Sequence, residues 1–169
     1  AGFSVEFHEY EPGRTSVVAR AGGKAGKDPL CLTGHLDVVP LGTRQWSKDP
    51  FAGEADGDKL YGRGSSDMKA GVAAMLVAAS SFSKKLNNTA GLVLVLTAAE
   101  ENGCIGSRHL AALPKLMGKA GAIVVLDVDL GRFVECNENA VRFFKMTRDE
   151  LLAVGPEQVS AALQPDGEP

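Results

Sequence analysis

Six side chains in this sequence have the types and spacing that hold a divalent cation and move a proton: His35, Asp37, Asp67, Glu100, Glu101 and Asp127. Imidazole nitrogen and carboxylate oxygen are the ligands a hard or borderline dication takes, and they must converge from several elements. A pair of ions about 3.5–4 Å apart also needs a carboxylate that can bridge them. Each residue alone has a mundane reading. A lone His after a strand is usually a hydrogen-bonded surface residue, an Asp that opens a helix is usually an N-cap, and adjacent Glu residues in a loop are usually solvated. The set is more informative, because each member ends an expected strand or opens the next loop.

Glu100 and Glu101 are the sharpest signal. They follow Leu92–Ala98, a run (Leu-Val-Leu-Val-Leu-Thr-Ala) too apolar for a surface element, so two carboxylates arrive at the rim of a buried sheet. Like charges there are costly unless a cation neutralises them. One can ligate metal while the other, unligated, takes a proton from water, the division that metal-assisted hydrolysis requires.

The elements that would position these residues follow from periodicity. Ser4–Tyr10 alternates as a half-buried strand does, Thr15–Arg20 reads as a second strand, and Leu30–Thr33 as a short third that delivers His35. From there to about Arg63 the chain is rich in Gly, Asp and Pro, with little periodicity. Asp67–Lys85 carries apolar residues at helical spacing, ended by Asn87, Asn88 and Gly91. Leu92–Ala98 is a strand buried on both faces, Ser107–Met117 a shorter helix, and Ala122–Leu126 another buried strand. This alternation predicts an α/β fold, a mainly parallel sheet with helices on both faces, whose sites lie at the carboxyl ends of the strands.

Four blocks then carry a resemblance: Gly34-His-Leu-Asp-Val-Val-Pro40, Trp46-Ser-Lys-Asp-Pro-Phe51, Leu60-Tyr-Gly-Arg-Gly-Ser-Ser-Asp-Met-Lys-Ala-Gly71 and Glu100-Glu-Asn-Gly103. In order and spacing they resemble the signature blocks of the zinc exopeptidase family that includes acetylornithine deacetylase, succinyl-diaminopimelate desuccinylase and aminoacylase. The resemblance covers about residues 2–127. It implies a zinc-exopeptidase catalytic domain with two zinc ions. His35 would hold one ion, Asp67 would bridge, Glu101 would ligate the second, and Asp127 would join His35. Asp37 would orient the ligand imidazole, and Glu100 would be the general base. The implied reaction is hydrolysis of an amide or peptide bond in a small N-acyl amino acid or peptide. Cobalt or manganese would also suit a carboxylate-rich site. Arg63, Lys69, Asn102 and Ser107, near these blocks, are expected to be structural or surface residues. Ala99 stands where the family commonly has an acid, and Val128-Asp129 replaces the Pro-Thr that usually follows the last acid.

Past residue 127 the chain becomes more charged and aromatic. Residues 128–169 resemble the opening of a PAS sensory domain, with Thr147 as a helix N-cap answered by Glu150. The expected organisation is therefore a partial hydrolase domain over 1–127 and a partial α+β PAS-like segment over 128–169. The family's final His ligand and inserted lid domain would fall outside the matched stretch. Incomplete metal occupancy and impaired hydrolysis by this chain alone are expected, and a non-catalytic binding or regulatory module is the alternative.

Bulk properties narrow the rest. With 169 residues, 44% hydrophobic and 23% charged, the chain fits one domain, or one with a short appendage, able to bury a core. A net charge of −3 with scattered Lys and Arg argues against a nucleic-acid partner. The longest apolar run, Gly91–Ala99, is strand-sized and argues against a membrane span. The first residues lack the basic and apolar regions of a signal peptide, so a cytoplasmic location is expected. Cys31, Cys104 and Cys136 are spaced as neither a disulfide framework nor a zinc knuckle, and read as small buried side chains in a reducing compartment. An incompletely covered sheet would favour association, and a homo-oligomer is expected on that ground.

Overall fold

The computed structural model describes residues 2–23, 26–113, 116, 118–125, 147 and 149–150. A five-stranded sheet is built from β1 (Ser4–Glu11), β2 (Arg14–Ala21), β3 (Leu30–His35), β6 (Leu92–Thr97) and β7 (Ala122–Val125), in the order β1-β2-β6-β3-β7. The pairs β1/β2 and β2/β6 are antiparallel, whereas β6/β3 and β3/β7 are parallel. β2 alone therefore runs against the other strands, and the sheet is mainly parallel in direction as expected.

The central strand, β6, explains why helices cover both faces. All six of its residues are buried, and side chains alternate across a strand. Leu92, Leu94 and Leu96 pack with Ala19, Met68 and the helix α1 (Ala70–Phe82) through Val72, Met75 and Ala79. Val93 and Val95 face the other way, against Val18, Cys31 and Leu110 of α2 (Ile105–Ala112). Burying such a side chain contributes roughly 1.5–3 kcal/mol each, so β6 fixes the register of the sheet. β1 departs from the half-buried expectation. It is an edge strand, with Val5 and Phe7 exposed.

Three boundaries differ from the sequence reading. The first helix begins at Ala70, because residues 65–69 form an irregular turn with Asp67 and Met68 outside helical geometry. The second begins earlier, at Ile105, and closes at Ala112, with Leu113 extended (φ −78°, ψ 120°), as a residue that precedes a proline in sequence prefers. The stretch read as aperiodic contains a hairpin, β4 (Glu54–Asp56) with β5 (Lys59–Tyr61), joined at Gly57, where φ is +61°. Asp56-Gly57-Asp58 was the available signal for it. Among the described residues no helix is long and apolar enough to cross a membrane.

Thr147 and Glu150 form the expected reciprocal cap. The Thr147 amide donates to Glu150 Oε2 at 2.8 Å, and the Glu150 amide donates to Thr147 Oγ1 at 3.2 Å. Apart from these and Asp149, residues 128–169, with Cys136 and most of the expected PAS-like segment, lie outside the described residues, as does Asp127.

The start of α2 packs against the chain just beyond β6 with no room to spare. A Cβ on Gly106 would lie 1.9 Å from the Ala98 carbonyl oxygen, which is backbone and cannot swing away. Gly106→Ala is expected to destabilise the fold by about 3 kcal/mol, at the upper end of overpacking costs. Urea denaturation measures it, and a loss under about 1 kcal/mol would show that the contact can relax.

Candidate metal centre

The two carboxyl ends that meet here belong to neighbouring parallel strands. His35 closes β3 opposite Thr97, which closes β6, and the Leu36 amide extends the ladder to the Thr97 carbonyl at 2.8 Å. Asp37 and the Glu100–Glu101 pair therefore leave the sheet at one edge. Both oxygens of the Asp37 carboxylate are used there, Oδ1 accepting from the Glu100 amide at 3.0 Å and Oδ2 from the Glu101 amide at 3.1 Å.

Asp67 arrives on the turn before α1. Gly64, with φ +83°, opens that turn, and the Lys69 amide closes it onto the Gly64 carbonyl at 2.9 Å. Met68 is fully buried against Gly34, where a Cβ would meet its Cε at 2.6 Å. The Lys69 ammonium donates to the Leu36 carbonyl, tying the turn to the segment after β3. Asp67 itself is extended (φ −108°, ψ 103°), and its peptide to Met68 is cis. It is not a helix cap, since Lys69 occupies that position without a side-chain cap. Its Oδ1 lies instead 3.0 Å from His35 Nε2.

His35 is 3% exposed. Its Nδ1 is 3.0 Å from the Asp37 main-chain oxygen and 3.7 Å from that residue's carboxylate. A carbonyl only accepts, so Nδ1 carries hydrogen and donates, leaving Nε2 as the ligand nitrogen. Without a metal, Nε2 also needs a proton to face Asp67. The His35 pKa is raised accordingly: burial works against protonation but is outweighed by the Asp37 carbonyl and by Asp67 and Glu100.

Glu101 gives the clearest indication that this cluster suits a cation. Its Oε1 is buried without a hydrogen-bond partner. Burial, and then Asp67, Glu100 and Asp37, push its carboxyl pKa above the ordinary value, with His35 opposing. One donor atom each from His35, Asp67 and Glu101 lie within 4.8 Å of one another. With metal–ligand distances of about 2.0–2.2 Å, these residues fit a divalent cation. The Glu100 carboxylate stands beside them, with Oε2 4.0 Å from His35 Nε2 and Oε1 accepting from the Cys104 thiol at 3.6 Å.

The structure thus gathers His35, Asp67, Glu100 and Glu101, with Asp37 behind them. Of the neighbouring residues expected to be structural, Arg63 lies over the Trp46 ring at 4.9 Å and Ser107 Oγ donates to the Cys104 carbonyl at 2.9 Å. Sequence reading missed Met68 and Cys104. The spacing of Cys104, four residues after Glu100, was the signal available for the second.

Both pKa shifts act on stability in one direction. The folded metal-free chain binds protons at Glu101 and His35 more tightly than the unfolded chain, so stability falls as pH rises through the raised values. The midpoint of thermal unfolding without metal is expected to decline above about pH 4.3 from Glu101 and above about pH 6.5 from His35. Glu101→Gln should remove the lower part of the decline, and saturating zinc should reverse it, because the cation replaces the protons. A metal-free midpoint that rises across this range would contradict the assignment.

Known hydrolases resemble this chain in sequence and fold. The sequence is 43% identical over 97 residues to succinyl-diaminopimelate desuccinylase of Rhodospirillum centenum, covering 55% of this chain and 25% of that protein. The chain thus spans about a quarter of the curated relatives it matches. Its fold resembles an M20 family metallo-carboxypeptidase from Sulfolobus solfataricus (TM-score 0.59, 25% identity, 73% of this chain and 28% of the other). It also resembles human carnosine dipeptidase 1 (TM-score 0.58, 25% identity, 73% and 29%). The sequence profile of peptidase family M20/M25/M40 matches residues 31–150, a span that includes every member of the metal cluster, and the chain belongs to this family.

Proposed function

We propose that this chain carries the metal-binding and catalytic part of a binuclear zinc hydrolase that cleaves an amide bond in small N-acyl amino acids or peptides. The observation that carries the reading is the orphaned, buried Glu101 oxygen within ligand reach of His35 and Asp67, with a second carboxylate, Glu100, alongside. Bound zinc would supply Lewis acidity toward the scissile carbonyl and lower the pKa of an attacking water.

The chain's own residues do the rest. The Asp37 carbonyl holds His35 Nδ1–H, which would leave Nε2 free to hold an ion. Asp67 would bridge the two ions, and Glu101 would hold the second. Asp127 is assigned to the His35 ion by family resemblance. Glu100 keeps Oε2 turned toward the cluster, where it takes the proton of the attacking water and returns it to the leaving amine. Among the described residues, Asp67 and Glu101 would hold the second ion. Cobalt or manganese would serve in the same donor set.

A panel of N-acetyl and N-succinyl amino acids and dipeptides, assayed with the zinc-, cobalt- and manganese-loaded chain, tests this. Cleavage that a chelator stops and metal restores is the expected result. Metal binding without cleavage would remove the catalytic reading and leave a non-catalytic binding module. For residues 128–169, the family match reaching residue 150 supports assigning the first part to the hydrolase domain, and the residue pattern supports a PAS-like segment.

A further inference from the structure

We propose that Asp37 is a positioning residue that places Glu100 and Glu101 through their backbone amides, while its main-chain carbonyl accepts from the His35 ring. β6 ends at Thr97, and beyond it the chain loses its ladder partners. The Ala98 amide turns to the hydroxyl of the fully buried Ser16 at 3.0 Å, and Ala99, also fully buried, takes a left-handed φ of +55°. The next two amides, of Glu100 and Glu101, leave a buried strand and need acceptors. One carboxylate satisfies both, Oδ1 at 3.0 Å and Oδ2 at 3.1 Å. Amide hydrogen bonds to an ionised acceptor are stronger than neutral ones, and two bonds to one planar group fix orientation as well as distance.

The carboxylate lies 3.7 Å from His35 Nδ1, outside hydrogen-bond range, whereas the Asp37 carbonyl lies at 3.0 Å. One residue therefore joins three parts of the centre. Its carbonyl holds the imidazole, and its two carboxylate oxygens hold the backbone of the two glutamates. The consequence for hydrolysis rests on the function proposed above, whereas the clasp is a property of the metal-free chain and is tested there.

Amide hydrogen exchange by NMR on the metal-free chain separates the two roles. Asp37→Asn preserves the main-chain carbonyl but turns an NH2 group toward one of the two amides, which can only donate. Exchange at Glu100 or Glu101 is expected to accelerate by about 10-fold or more, while Leu94 and Val95 in β6 stay protected. His35→Ala is expected to leave both glutamate amides protected, since the clasp does not run through the ring. Unchanged exchange at both glutamates in Asp37→Asn would overturn the proposal. So would an equal acceleration throughout β6, which would make Asp37 a general stabiliser of the sheet. Should Asp37→Asn not fold, the unaltered chain still decides: through-hydrogen-bond scalar couplings from the Glu100 and Glu101 nitrogens to the Asp37 carboxyl carbon are expected, and their absence would overturn the clasp. In the folded variant, zinc affinity measured by chelator competition is expected to drop about 10–100-fold, the usual effect of removing a residue that supports ligands.

Discussion

Glu101→Ala is expected to weaken zinc retention by more than about 100-fold and, in the same variant, to leave the metal-free chain as stable as before or more so. The two effects have one origin. Glu101 brings a carboxylate with a buried, unpartnered oxygen into a cluster that already holds Asp67 and Glu100. Without a cation such a group is a liability, because an unpaired buried charge costs free energy that nothing nearby returns. With a cation it would become a direct ligand. Losing a residue that merely supports a ligand costs about 10–100-fold in affinity, so losing the ligand itself must cost more. Elemental analysis after dialysis and chelator competition read the first effect, and thermal unfolding of the metal-free protein reads the second. His109→Ala is the control, because that ring packs 6.1 Å from Tyr10 and has no part in the cluster. Zinc retention that survives Glu101→Ala would mean that the ion sits elsewhere.

The second large effect concerns rate. Glu100→Gln is expected to reduce hydrolysis by about 10²–10⁴-fold, the usual contribution of a general base, while zinc content changes little. The amide side chain keeps the size of the carboxylate and can still accept from Cys104, but it cannot take a proton from water. Only the transfer step is removed, so kcat should fall with KM nearly unchanged. If zinc content fell along with the rate, Glu100 would be a ligand. If the rate stayed within about threefold of the parent, far short of a general base's contribution, the base would have to be another group.

Much of this site could be read from the sequence because its residues are tied to strong local patterns. A uniformly apolar run ending in two glutamates has few structural explanations, and β3 and β6 emerge close to where their composition puts them. Asp67 was harder. Its place before an apolar helix suggests an N-cap, yet burial of Met68 beneath Gly34 holds it in an extended turn that points its carboxylate at His35. That outcome depends on tertiary packing between residues far apart in sequence, to which helix periodicity is blind. Asp37 shows the same limit. The family resemblance implies that it orients the ring, and only the meeting of β3 with β6 shows its carboxylate engaged with two backbone amides. The β4–β5 hairpin escaped notice because its strands are three residues long, too short to display a period.

The parallel pairing of β3 with β6 also bears on the order in which the molecule assembles. Leu30 pairs with Leu92 and His35 with Thr97, so about sixty residues of chain must be looped out before the two strands can meet. Closing such a loop loses entropy before any contact compensates, and pairings of this kind form late and slowly. His35, Asp37, Glu100 and Glu101 lie at the far tips of these strands. None of them faces its partners until the crossover is complete. The nascent chain therefore has scattered acids and histidines, with no ready-made trap for stray cations. Capture of metal becomes possible only when the topology has closed, so the ion acts as a seal on a finished architecture rather than as its nucleus.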